Sequence, residues 1–416
     1  MKKIFNFTFV LAVAGTLALG FSSCSDKDDN TPEVKLSEGD QYLQNAIGTY
    51  VDNTVNPTYA AMAVAADQLY NKVKEIHAAS KTKSVNQTMV NEACQYWKEA
   101  RLRYEKSEAF LLGAAADYNI DPHIDTWPLD LAALHTLLSN TKQIQSYDAE
   151  DGVARANSDL GQTVLGFHGI EFILFRDGQP RKAEELNGFD TYNQNGQDFT
   201  KFSGEYELIY AEVVAGDLRN AIFQLEVCWN ENAPKAHVDV LEAFEMKTHM
   251  PLSDTSYGWS VKHAGEAGST FRSIKHAVSS ILVGDGGCAA ISDEVGQKKI
   301  GNPFTGEDVH YIESPYSYNS LTDFSDNIQS INNVWNGGVE EARGKYSFAE
   351  YFKKYEPTIG KEVQDAIDNA QAEIGKIKKP FALNYTDPQC KKAMEACAAL
   401  SKALANADEF IAKNNK

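Results

Sequence analysis

The stretch PTYAAMAVAADQLYNKVKEIHAAS, residues Pro57–Ser80, decides the fold class. Ala, Val, Leu and Ile recur in it at three- and four-residue intervals, a proline opens it and polar Lys81-Thr82-Lys83-Ser84 follows, as in an amphipathic helix. Asn86–Leu112, Ser158–Arg176, Glu205–Asn230, Phe271–Leu282, Leu321–Trp335, Phe348–Lys378 and Pro388–Lys413 read the same way. No window sustains a two-residue alternation of β-branched side chains, so the expectation is an all-α protein without a sizeable sheet.

The chain has 416 residues, more than one ordinary core accommodates, and two helical-bundle-like domains are expected. The polar stretch Arg176–Gly204, rich in Gly, Asn and Gln, places the boundary near its end, giving domains 37–200 and 201–416. A second region, Gly284–Tyr318, carries Gly-Asp-Gly-Gly, Asn-Pro and Ser-Pro punctuation and reads as a long functional loop.

At the N-terminus, Lys2 and Lys3 precede an apolar run from Ile4 to Phe21 and then Ser22-Ser23-Cys24. The run is short for a permanent span and suits a cleaved export signal over residues 1–23. This pattern resembles a bacterial lipobox, which makes Cys24 the lipid attachment point and residues 24–36 a flexible tether. The expectation is an exported lipoprotein of the outer membrane, and the acidic Ser25-Asp26-Lys27-Asp28-Asp29 segment resembles a tag for the outer cell face. The remaining cysteines, Cys94, Cys228, Cys288, Cys390 and Cys397, are an odd set and exclude a complete disulfide framework. A net charge of −19 excludes nucleic acid as a natural partner and favours cations.

One helix concentrates the chemistry. In Gly161–Phe175, GQTVLGFHGIEFILF, the ionisable groups are His168 and Glu171, three positions apart on one face. A carboxyl among Phe167, Ile170, Phe172, Ile173 and Leu174 is costly to bury unpaired, so Glu171 needs a proton or a cation. A buried ion pair that fixes helix packing is the competing reading, since His263–Glu266 and His310–Glu313 show the same spacing. Upstream, Trp97, Arg101, Tyr104 and Glu108 share one stripe, with apolar residues after Glu108 that favour its burial, whereas Glu105 and Arg103 read as a solvated face. The loop Ile120–Asp130 offers Asp121 and Asp125 on a course stiffened by prolines, with Trp127 as a shield.

Several separate strings resemble those of the imelysin-like family. Gly166-Phe167-His168-Gly169-Ile170-Glu171 is similar to its GxHxxE motif, and Tyr104…Glu108 and Trp127-Pro128-Leu129 are similar to its Tyr…Glu and Trp-Pro-Leu segments. Glu313-Ser314-Pro315-Tyr316-Ser317-Tyr318-Asn319-Ser320, then Asp323-Phe324 and Asn327-Ile328, resemble its ES-x-x-S-x-NS-x-x-DF-x-x-NI signature. The resemblance implies two helical domains with a site at their interface, and Glu108, Asp125, His168 and Glu171 as metal ligands, with Asp121 the competing aspartate. It also brings Gly166, Trp127, Arg101, Glu313, Ser314, Ser317 and Asn319 to the site, although Ser320 and Asp323 read equally well as helix capping.

Members of that family include iron-regulated uptake proteins and metallopeptidases. Phe172 stands where an HxxEH enzyme has its second histidine, and no HExxH occurs. A set of three carboxylates and one imidazole suits iron before zinc or another divalent ion. The expected function is therefore binding of a metal ion or metal chelate in iron uptake, with an uptake partner protein. A metallopeptidase is the alternative, and recognition of a polysaccharide, haem or protein ligand a further one.

Overall fold

The computed structural model describes residues 36–414, apart from Asn195 and Leu252. The export signal, Cys24 and almost all of the tether lie outside the described residues. Ser37 starts the first helix by accepting a hydrogen bond from the Asp40 amide, 3.1 Å. Helix α1, Glu38–Thr49, runs through a π-helical segment, Tyr50–Val55, into α2, Asn56–Ser80. Helix α3, Gln87–Glu105, is capped by Asn86 and packs along α2. Beyond it lie α4, Ile120–Asp125, and α5, Gly166–Leu174.

Helix α6, Gly204–Trp229, is buried nearly all round, as expected of a helix at the centre of a core. Its buried carboxylates each find a cationic or imidazole partner: Glu207 pairs with Arg181 at 2.7 Å, Asp217 with His123 at 2.6 Å, and Glu226 with His237 at 2.5 Å. The later helices are α7, Cys288–Glu294, α8, Ser320–Trp335, α9, Pro357–Gly375, and α10, Gln389–Lys413. Helix α10 buries Cys390, Ala393, Cys397, Leu400, Leu404, Ala407 and Ile411, a stripe that packs on α7 and α9.

The all-α expectation holds: among the described residues the strands are two hairpins of two-residue strands. From Ser37 onward the chain forms one compact unit, and α6 packs against α2 and α5. The polar stretch around residue 190 is no linker, because Asp190 binds Arg176 at 2.6 Å and Arg181 at 3.3 Å, and Arg181 is itself buried.

Three expected helices are shortened for local reasons. Ser158–Arg176 is interrupted at Gly161 and a 3-10 turn, Gln162–Val164, so the apolar helix starts at Gly166. Asn86–Leu112 ends at Glu105, leaving Glu108 in a 3-10 turn, Glu108–Phe110. Phe348–Lys378 divides at Glu356, because the residue before Pro357 is pushed out of the helical region. The expected loop Gly284–Tyr318 instead contains α7, a second π-helical segment, Val295–Ile300, and a short helix, Gly301–Thr305. Cys94, Cys228, Cys288, Cys390 and Cys397 are free and buried.

Gly166 has φ +69, and a Cβ there would lie 2.0 Å from the carbonyl oxygen of Ile124. Gly166→Ala should therefore destabilise the protein by about 2 kcal/mol or more in urea unfolding. Gly161, with φ −76 and no neighbouring atom within 4 Å of where a Cβ would stand, is the control. Gly161→Ala should change stability by no more than about 1 kcal/mol.

Candidate metal centre

Arg101 organises a buried polar cluster. Its i, i+4 neighbour on α3 is Glu105, and α4 ends at Asp125, so two carboxylates meet the guanidinium from the first half of the chain. Glu313 and Asp323 meet it from the second half, at 2.6 and 3.9 Å. Lys299, carried on the π-helical turn, is 1% exposed and lies 3.0 Å from Glu313, 3.7 Å from Glu105 and 3.9 Å from Glu108. π turns of this kind recur at functional sites because they turn a side chain that a regular helix would aim elsewhere.

Helix α5 brings in the imidazole. Trp97 on α3 donates its indole N–H to the Phe167 carbonyl at 3.0 Å, fixing the start of that helix. His168 Nδ1 lies 3.2 Å from Glu171 Oε2. His168 Nε2 lies 3.2 Å from Asp125 Oδ1, in ion-pair range but without hydrogen-bond geometry. Glu171 Oε1 accepts from the amides of Tyr316 and Ser317, at 3.0 and 2.8 Å, and from the Ser317 hydroxyl at 2.7 Å.

Two trios of carboxylate and imidazole groups come close enough to hold an ion: Asp125 with His168 and Glu313, and Glu105 with Glu108 and Asp125. Asp125 belongs to both. The sequence-based set of Glu108, Asp125, His168 and Glu171 is thus brought into one neighbourhood and divided between roles. Glu171 joins neither trio, because the loop amides hold one of its oxygens and His168 faces the other. Glu108 and Glu105 already face a fixed cation, Lys299. Asp121 accepts from the Tyr104 hydroxyl and stays outside both trios.

The remaining candidates fall as follows. Gly166 makes the close approach to Ile124, and Trp127 packs on Tyr311 with ring centroids 3.9 Å apart. Ser314 has φ +47 and a buried hydroxyl without a partner. Asn319 donates to Asp323 at 2.6 Å, and Ser320 donates to the Glu313 carbonyl at 2.5 Å. Asn319 stands at the cap position of α8 without a side-chain capping bond, so these residues serve the cluster and not the helix start. Glu105 is a correction: expected on a solvated face, it is fully buried, since its i, i+4 relation to Arg101 turns it inward. Arg103 does lie partly exposed, on Glu99. Sequence reasoning misses Lys299, which the π-helical segment Val295–Ile300 carries into the cluster.

Seven carboxyl groups, Glu105, Glu108, Asp121, Asp125, Glu171, Glu313 and Asp323, thus face Arg101, Lys299 and one imidazole. Burial pushes Glu108 and Asp323 well above the usual carboxylate range, Asp121 to about 6 and Glu313 to about 7. Burial would also raise Asp125, but Arg101 and His168 hold it at about 2. Burial would lower His168, yet Asp125 and Glu171 bring it to about 9. For Lys299 the surrounding Glu108, Glu313 and Glu105 outweigh burial and raise it well above normal. The excess of acid is held as protons, which a cation can replace.

Comparison with known proteins gives a consistent set of likenesses. Residues 55–407 match the sequence model of the family described as Imelysin. The chain is 23% identical over 359 residues to iron-regulated protein A of Synechococcus elongatus, covering 85% of this chain and 83% of that protein. A crystal structure from Parabacteroides distasonis, of a protein named as an iron-regulated protein A precursor, superposes with a TM-score of 0.71 at 27% identity, covering 91% of this chain and 96% of that one. An imelysin-like protein of Psychrobacter arcticum shares the fold, with a TM-score of 0.51 at 12% identity over 91% and 96% of the two chains.

The raised carboxyls set a pH dependence. Between the unfolded carboxylate range near about 4 and their folded values, the native state binds more protons than the unfolded chain, so stability falls as pH rises through about 5 to 7. The His168 contribution, complete below about 6.5, is lost as pH passes about 9, and that of Asp125 is lost as pH falls from about 4 toward 2. Urea midpoints of metal-free protein should decline steadily from about pH 5 to pH 9. A stability maximum at the alkaline end would contradict this charge balance.

Proposed function

Because this chain belongs to the imelysin family, we propose that it binds a metal ion, iron before other cations, through Asp125, His168 and Glu313. The observation that carries this reading is the state of His168: a buried imidazole anchored at Nδ1 by Glu171, with Nε2 aimed at Asp125 and lacking a hydrogen-bond partner. A ligating histidine characteristically has its other nitrogen held by a carboxylate in this way. Glu313 Oε2 is likewise buried without a partner, so it and, once its proton leaves, His168 Nε2 each have a lone pair to offer. Two carboxylates and one imidazole make a hard, anionic donor set with coordination positions left over, which suits iron. The names of the two iron-regulated relatives agree.

Peptide hydrolysis has less support. It requires an uncommitted base beside the metal-bound water, whereas Glu105 and Glu108 face Lys299 and Arg101. The lipobox-like N-terminus supports a place for this metal binding outside the cytoplasm, on a membrane anchor, within iron uptake.

Anaerobic calorimetry with ferrous ion tests the assignment. Asp125→Asn, His168→Ala and Glu313→Gln should each weaken binding by about a hundredfold or more, and Glu171→Gln, which only orients the imidazole, by about ten- to a hundredfold. Binding should release protons, with the number falling as pH rises from about 7 to about 9. Wild-type protein without measurable affinity for iron, zinc or manganese would remove the proposal.

A further inference from the structure

Just past the 3-10 turn that carries Glu108, the chain borders a cavity of about 430 Å³ that shares no residue with either carboxylate trio. Leu111, Leu112 and Gly113 line it from the first half of the chain, and residues between 250 and 286 line it from the second. The two sides are joined where the Leu111 amide donates to the Gly286 carbonyl at 3.0 Å. One wall is aromatic: Tyr257 stacks on Trp229 with ring centroids 6.0 Å apart and planes inclined by 29°. Gly113 permits that wall. Its φ is +75, and a Cβ there would lie 2.8 Å from the Tyr257 ring and 3.2 Å from that of Trp229.

The complete lining sets the sign of charge that the cavity accepts. Asp117 and Asp285 are its charged residues, and no lysine, arginine or histidine lines it. Thr270 and Ser280 add neutral hydroxyls, and the rest is glycine, aliphatic or aromatic surface that includes Leu112, Met250, Val261 and Phe271. Both carboxylates belong to exposed residues and so stand at the rim. Asp117 accepts from the Tyr257 hydroxyl at 2.7 Å, a bond that leaves its negative charge in place.

Negative charge at the rim of an apolar cavity attracts a molecule that is positive at one end and apolar at the other. An anion meets repulsion from both acids and from a chain charge of −19. A bare metal ion gains nothing from apolar walls, and neither acid belongs to a trio able to hold one. The volume is that of a pocket for a small organic molecule. We propose that this cavity binds an organic ammonium ion, its charged end at the acidic rim and its apolar body against Tyr257 and Phe271. The inference stands apart from the metal-binding reading.

The test is calorimetric titration of the mature protein with tryptamine, with its neutral analogue tryptophol and with the anion indolepropionate. Tryptamine should bind saturably and at least about tenfold more tightly than tryptophol, with indolepropionate weakest. Replacing both acids, Asp117→Asn with Asp285→Asn, should erase that preference in protein whose urea midpoint matches wild type. Phe271→Ala should weaken the amine and the alcohol alike, by about threefold or more. His168→Ala should bind tryptamine as wild type does. Absence of tryptamine binding overturns the proposal, as does equal affinity for tryptophol or indolepropionate. So does a preference for the amine that survives the double substitution, or one that is lost with His168.

Discussion

The structure turns on one buried guanidinium. Arg101 is fully enclosed, with Phe167 and Tyr104 rings 5.2 and 5.4 Å from it, and it meets Glu105, Asp125, Glu313 and Asp323. Those four acids come from α3, α4, the loop before α8, and α8. Burying such a charge is costly by itself, and leaving its partners without it costs about 3–5 kcal/mol. Arg101 can therefore be satisfied only when both halves of the chain are closed around it. The same closure brings a ligand atom from each of Asp125, His168 and Glu313 within 4.8 Å of the others.

Arg101 also explains why the cluster remains short of positive charge. It and Lys299 are fixed cations, and both approach Glu105 and Glu313. Asp125 is shared between Arg101 and the imidazole, while burial outweighs the nearest cations at Glu108 and Asp323 and raises both well above the usual carboxylate range. A cluster balanced by protons responds to a metal ion differently from one balanced by arginines. Protons leave readily, whereas an arginine side chain must be displaced and left buried.

The helical class and the central role of Gly161–Phe175 were legible because apolar periodicity and an isolated polar pair are local signals. The burial of the polar stretch was not. Arg176–Gly204 reads as a linker by composition, yet Arg181, Asp190 and Glu207 form a buried network there, and which charges will pair across the fold cannot be read from local polarity. Glu105 shows the same limit: a charged residue beside another on a helix reads as solvated until its tertiary partners, Asn327 and Lys299, are known. Lys299 depended on a π turn, which inserts a residue and rotates the register that periodicity assumes.

The His168–Glu171 spacing illustrates how a motif can be recognised while its role shifts. On a helix, residues three apart face each other across one turn, so Glu171 meets the imidazole at Nδ1. That contact turns Nε2 the opposite way, toward Asp125. In the proposed metal site the pair thus aims one nitrogen instead of providing two ligands from one helix, and the loop amides of Tyr316 and Ser317 hold Glu171 in place. The set is completed by Glu313, whose own loop also grips Glu171. One short loop from the second half of the chain therefore both orients the histidine and supplies the neighbouring carboxylate, so the donor set exists only in the folded protein.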